Sequence, residues 1–166
     1  MKPEWVNSPA DAVITLPDDK EEAVYMYLHW LYSRTVPISA NLTHDAAFAL
    51  LCKAYVLGER LMDIKFKNQI ISTIFAQRNE WRYCPVGQSV AILYAGTPET
   101  SPARRLFVHL WAYWFRDDES WRDGVDACPK EFLKDVLCQM SKWRLQSPAA
   151  PGQMDFQVYC EVEKSD

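Results

Sequence analysis

Apolar and polar positions along the chain alternate mostly at helical spacing, and they divide it into a series of short amphipathic segments. The first regular stretch is Ala12-Val13-Ile14-Thr15-Leu16, a β-prone run between Pro9 and Pro17 that predicts one short strand. Asp18 and Asp19 follow, three residues before Glu21 and Glu22, an acidic cap for a first helix. In that helix Val24, Tyr27, Leu28 and Leu31 share one face, while Met26 and Trp30 form a second strip four residues apart. Ser33 to Ser39 ends it with turn residues and Pro37, and Val36 and Ile38 alternate like a second short strand.

Thr43 is placed to cap a longer helix with Ala47, Leu50, Leu51, Ala54, Gly58 and Leu61 along one face. Its small residues predict close approach of a neighbouring helix. Asp63 caps a third helix carrying Phe66, Ile70, Ile71, Ile74 and Phe75, expected to run to about Arg78 or Asn79. A linker over 80–85 leads to a short helix with Val86, Val90, Leu93 and Tyr94, stopped by Gly96-Thr97-Pro98. Ser101-Pro102 opens the next helix, which is apolar nearly all round from Leu106 to Phe115 and is expected in the core. An acidic loop is predicted from Asp117 to Asp126. Cys128-Pro129 then starts a last helix with Phe132, Leu133, Val136, Leu137, Met140 and Trp143 on one face. From Ser147 the chain reads as a loose tail, with Phe156-Gln157-Val158-Tyr159 as a further candidate strand.

With 49% apolar and 13% aromatic residues in 166, the chain has enough hydrophobic material for one core and is too ring-rich for a disordered segment. The formal charge of −4 and the scattered lysines and arginines offer no basic stripe, so nucleic acid is not an expected partner. Neither a signal-peptide pattern nor a span of roughly 18 apolar residues is found, which points away from membranes and to the cytoplasm or nucleus. Cys52, Cys84, Cys128, Cys138 and Cys160 are odd in number and lack any CxxC pair, as expected of reduced thiols. His29, His44 and His109 supply no HxxxH or CxxH partner for a metal, and no cofactor is expected.

Phosphate loops and nucleophile elbows are absent: there is no GxxxxGK[ST], GxGxxG or GxSxG. The dense carboxylates, Glu21-Glu22 and Asp117-Asp118-Glu119, stand at helix starts or loops, where solvation explains them. Arg104-Arg105 sits where a helix begins and positive charge is mildly unfavourable, which hints at a salt-bridge partner or a binding role.

The order of segments is more informative than any motif. Val13-Ile14-Thr15-Leu16-Pro17-Asp18-Asp19, His29-Trp30-Leu31-Tyr32 and Leu50-Leu51-Cys52-Lys53-Ala54-Tyr55-Val56-Leu57-Gly58-Glu59-Arg60-Leu61 together resemble the second half of a BTB/POZ domain, closest to the fungal set. The helix starts at Ser101-Pro102 and Pro129-Lys130-Glu131 resemble the helical extension that follows such domains. The resemblance implies a mainly α fold: a BTB/POZ-like helical core with one or two short strands over 5–79, a helical extension over 85–146, and the tail over 147–166. Nothing before Trp5 supplies the first half of a BTB/POZ domain, so a truncated form is expected. The apolar-x-Glu element of cullin-binding members has no counterpart at Trp5-Val6-Asn7 or Val6-Asn7-Ser8, which speaks against a cullin-adaptor role.

By the same resemblance Trp30, Leu31 and Tyr32 are core, and the turn Ser33, Arg34, Thr35 and Val36 is the protein-binding candidate. The function implied is a non-catalytic protein–protein interaction module that binds a protein partner or itself. Two other classes stand beside it. One is a small-ligand binder or enzyme with a pocket near Trp111 and Trp114, drawing on His109 and Tyr113. The other is a fragment without function of its own.

Overall fold

The computed structural model describes residues 21–114, 119–146 and 155–162, and within them the chain is mainly helical. Seven α-helices appear in the described residues: α1 (Glu21–Ser33), α2 (His44–Arg60), α3 (Ile64–Trp81), α4 (Gln88–Gly96), α5 (Pro102–Trp114), α6 (Glu119–Asp126) and α7 (Lys130–Gln146). A 3-10 turn, Phe156–Tyr159, follows them. The candidate strand over 12–16 lies outside the described residues. Val36 and Ile38 form no strand and pack, half-buried, against the core.

Helix α2 is the central element, packed by α1, α3 and α4, while α5 lies against α4 and α7. Capping holds its start as the sequence predicts: the Ala46 N–H donates to Thr43 Oγ1 at 3.3 Å. The α3 start is held likewise, with the Phe66 N–H donating to Asp63 Oδ1 at 2.9 Å. Small residues set the helix spacing. A Cβ added at Gly58 would stand 2.9 Å from Lys67 Cγ, and one at Gly96 would stand 2.5 Å from both Val56 methyl carbons. Each is a distance real Cβ atoms do not reach, so α3 and α4 approach α2 only because glycine is there.

One continuous core joins Met26 and Trp30 of α1, Phe48 and Tyr55 of α2, Phe66 and Ile70 of α3, and Phe107 and Trp111 of α5. The expected core role of α5 holds, with Leu106, Phe107, Val108, Leu110 and Trp111 buried. Trp111 Nε1 donates to the Pro85 carbonyl at 2.8 Å, and its ring meets Phe132 of α7 edge-on at 5.0 Å. A buried indole N–H finds an acceptor in this way.

Three local expectations are corrected. The acidic loop of 117–126 contains a helix, α6, over Glu119–Asp126, whose Gly124 lets it pack closely on Val86: a Cβ there would stand 2.9 Å from Val86 Cβ. The candidate strand at 156–159 is the 3-10 turn, capped when Asp155 Oδ1 accepts the Gln157 N–H at 2.9 Å. The tail is also docked rather than loose over 155–162: Tyr159 is buried, and Phe156 meets Phe75 at 6.0 Å. Its last anchor is reciprocal, with Asn68 Nδ2 donating to the Glu161 carbonyl and the Glu161 N–H donating to Asn68 Oδ1, both at 2.8 Å.

Candidate interaction surface

Helix α1 carries apolar residues on every side, and α2 and α3 accept only one of them. Ala23, Met26 and Trp30 are the buried positions, at spacing i, i+3, i+7. Tyr27 meets Phe66 edge-on at 4.9 Å, Trp30 meets Phe66 at 5.2 Å, and the Tyr27 hydroxyl donates to Asp63 at 3.1 Å. The strip expected to be secondary is therefore the packed one. Trp30 brings more apolar area than any leucine on the helix, and Ala23 lets the helix seat closely.

The other side is left open. Tyr25 is 65% exposed, Leu28 49%, Leu31 39% and Tyr32 91%. Leu31 and Tyr32, read from the sequence as core, are thus surface residues. Tyr25, Leu28 and Tyr32 stand at i, i+3, i+7, on the same line as Glu21 at i−4, which is the spacing of a coiled-coil seam.

The turn singled out by sequence adjoins this face. Ser33, Arg34 and Thr35 are exposed and Val36 is half-buried. Ser33 and Thr35 spend their polar atoms on the turn itself: Ser33 Oγ donates to the His29 carbonyl at 2.8 Å, and the Thr35 N–H donates to Ser33 Oγ at 3.2 Å. His29 Nδ1 lies 2.9 Å from the same hydroxyl. Arg34 takes a left-handed backbone, φ 58°, which stops the helix at a cost on the order of 1 kcal/mol for a residue with a Cβ. Its N–H donates to the Trp30 carbonyl at 2.8 Å and its guanidinium lies 4.7 Å from the Trp30 ring centroid. Arg34 is exposed, with its guanidinium turned back over the edge of the packed Trp30 ring.

Elsewhere the polar side chains work inside the fold. Arg104, buried at the start of α5, serves the end of α4: it donates to Thr97 Oγ1 and Glu131 Oε1, each at 3.0 Å, to the Tyr94 carbonyl at 2.5 Å, and to the Thr97 carbonyl. The charge that looked misplaced at one helix start sits beside the negative end of another helix, where a cation is favoured. Arg105 donates to the Val158 carbonyl at 2.9 Å. Lys67 pairs with Glu59 at 3.0 Å and Glu161 at 2.6 Å. Burial opposes its charge, but the two carboxylates outweigh that and hold its pKa above the ordinary value. Tyr94 donates to Asp135 at 2.9 Å, and burial with that carboxylate raises its pKa. His109 Nδ1 lies 2.7 Å from the Tyr159 hydroxyl, and burial, then Arg105 and Lys142, lower its pKa.

Among the described residues no three His, Cys, Asp or Glu side chains converge on a metal position, and no helix is long and apolar enough to cross a membrane. Compared with protein-family profiles, curated proteins and solved structures, the chain matches none. The resemblance to BTB/POZ domains therefore rests on the order and spacing of the segments quoted above.

Proposed function

We propose that the chain is a non-catalytic protein-interaction module of BTB/POZ type whose contact surface is the outer face of α1 with the Ser33–Val36 turn. The observation that carries this reading is the exposed line Tyr25, Leu28 and Tyr32, an apolar seam ending beside an exposed arginine. Tyrosine and arginine are the residue types that carry most binding energy at protein interfaces. The five free cysteines fit a reducing compartment, the cytoplasm or nucleus.

The ligand-pocket reading near Trp111 and Trp114 has less support. Trp111 is packed with its N–H spent on Pro85, Arg78 covers the Trp114 ring at 3.6 Å, and His109 is engaged by Tyr159.

The test places a photo-crosslinking residue at Tyr32 and, as a control, at exposed Lys134 of α7 in the full chain. Adducts with protein in cell extract are expected at Tyr32 and not at Lys134. Equal labelling at the two positions would refute the assignment of the surface.

A further inference from the structure

We infer that the groove between α3 and α5 is a peptide-binding site, closed in cis by residues 155–162, and that a partner presenting a Phe-x-x-Tyr-x-Glu segment takes their place. The site involves no residue of α1 and does not depend on the role proposed for that helix.

The segment is held as a bound peptide is, in part through its main chain. Asn68 of α3 takes both backbone groups of Glu161, its Nδ2 donating to the carbonyl and its Oδ1 accepting the N–H, each at 2.8 Å. From the other wall, Arg105 of α5 donates to the Val158 carbonyl at 2.9 Å. Contacts of this kind fix the path of a chain whatever its side chains, and pockets for particular side chains then set the sequence.

Three side chains of the segment enter such pockets. Tyr159 is buried, its hydroxyl 2.7 Å from His109 Nδ1 and its ring 5.6 Å from the imidazole. Phe156 is half-buried against Phe75. The Glu161 carboxylate accepts from Lys67 Nζ at 2.6 and 2.8 Å and from the Tyr55 hydroxyl at 3.5 Å. Gln157, Val158 and Val162 are exposed, and the half-buried Cys160 turns to its own segment, with its thiol 3.9 Å from the Phe156 carbonyl oxygen. An aromatic residue, a tyrosine three places on and a carboxylate two beyond it are therefore what the groove reads.

The body of the protein keeps its polar groups paired when the segment leaves. Lys67 is only 4% exposed, and a cation so buried could not lose its sole counter-ion cheaply. It has two, and Glu59 stays at 3.0 Å. With Glu161 docked, two carboxylates face one ammonium; without it, a neutral pair remains. Tyr55 likewise keeps Ser101, whose Oγ donates to its hydroxyl at 3.5 Å. The groove can thus empty without exposing a bare charge, which is the condition for one peptide to replace another.

Residues 147–154 join α7 to the segment, and so short a connection holds it at an effective concentration of about 1 mM. The probe is a fluorescent peptide of residues 155–162 with both ends capped, its binding read by anisotropy under reducing conditions. The receptor is the full chain carrying Tyr159→Ser and Glu161→Lys, which removes the ring from its slot and sets ammonium against ammonium at Lys67. A Kd of about 10 to 100 µM is expected there, as for a small interface, and competition in cis should make wild type about 10- to 100-fold weaker. Asn68→Ala in the open receptor, and Tyr159→Ala or Glu161→Gln in the peptide, should each cost about tenfold, while Val158→Thr in the peptide should cost nothing. The open receptor should keep the helical circular dichroism and a cooperative thermal transition. Loss of that transition would make the segment part of the core and overturn the inference. Absence of binding, equal affinity for wild type and open receptor, or indifference to Asn68→Ala would each overturn it as well.

Discussion

Replacing Arg104 by methionine tests whether the α4–α5 junction is held by backbone carbonyls or by an ion pair. Methionine keeps the length of the side chain and removes the guanidinium. Three donations to the ends of α4 and its loop are lost, to Thr97 Oγ1, the Thr97 carbonyl and the Tyr94 carbonyl. At about 1.5 kcal/mol for each hydrogen bond from a charged donor, that is about 4.5 kcal/mol. Loss of the cation 4.3 Å above the Tyr94 ring adds about 1 kcal/mol. A buried methionine returns about 2 kcal/mol of apolar transfer energy. The net loss is about 3.5 kcal/mol, which at about 2 to 4 °C per kcal/mol for a chain of this length lowers Tm by about 7 to 14 °C. The Glu131 side chain is 50% exposed, so Glu131→Gln, which breaks only the ion pair, should cost less than about 1 kcal/mol. Arg104→Lys keeps the charge without the fork and should fall between them. Thermal unfolding followed by circular dichroism reads all three variants. A methionine variant within about 1 kcal/mol of wild type, or a Glu131→Gln loss equal to it, would refute the reasoning.

Two further outcomes follow from the packing and from His109. Gly96→Ala drives a Cβ to 2.5 Å from two Val56 methyls, so it should destabilise by about 1 to 3 kcal/mol despite alanine's better helix propensity. Combined with Val56→Ala, which removes those methyls, the losses should fall short of additivity by at least about 0.5 kcal/mol in urea unfolding; additive losses would disprove the contact. His109 has a folded-state pKa below its unfolded value, because burial and the charges of Arg105 and Lys142 disfavour the imidazolium, Gln139 opposing them through a hydrogen bond. The unfolded chain therefore takes up the proton first as pH falls below about 6.5, and stability falls with it. Wild type should lose more of its urea midpoint between pH 7 and pH 5 than His109→Gln does, and equal losses would show that His109 is not the group responsible.

The helix starts were legible because a cap is a local interaction. Thr43 and Asp63 satisfy N–H groups three residues away, within reach of any reading of the sequence. The buried side of α1 was not legible for the opposite reason. Tyr25, Leu28 and Leu31 are as apolar as Ala23 and Met26, so periodicity offered two faces and only α2 and α3 choose between them. This choice is also what separates surface from core at Leu31 and Tyr32, and so the candidate seam from the packed strip. Arg104 was visible as a charge in an awkward place, but its partners are carbonyls, which every residue carries and no letter marks. At Phe156 to Tyr159 the alternation suited a strand, yet a strand needs a neighbouring edge. A lone four-residue segment between α3 and α5 gains more from one tight turn that buries Tyr159.

The clasp between Lys67 and Glu161 has a consequence in time as well as in space. The two residues are 94 positions apart in the chain. At about 5 to 20 residues per second, roughly 5 to 20 s of synthesis separate them. A nascent chain that has already assembled α1 to α3 holds an ammonium in its interior with Glu59 alone to answer it. Settlement of that end of the molecule waits until Glu161 has been translated, long after α1 to α3 have left the ribosome's active site, so the clasp is a late event in the life of the growing chain.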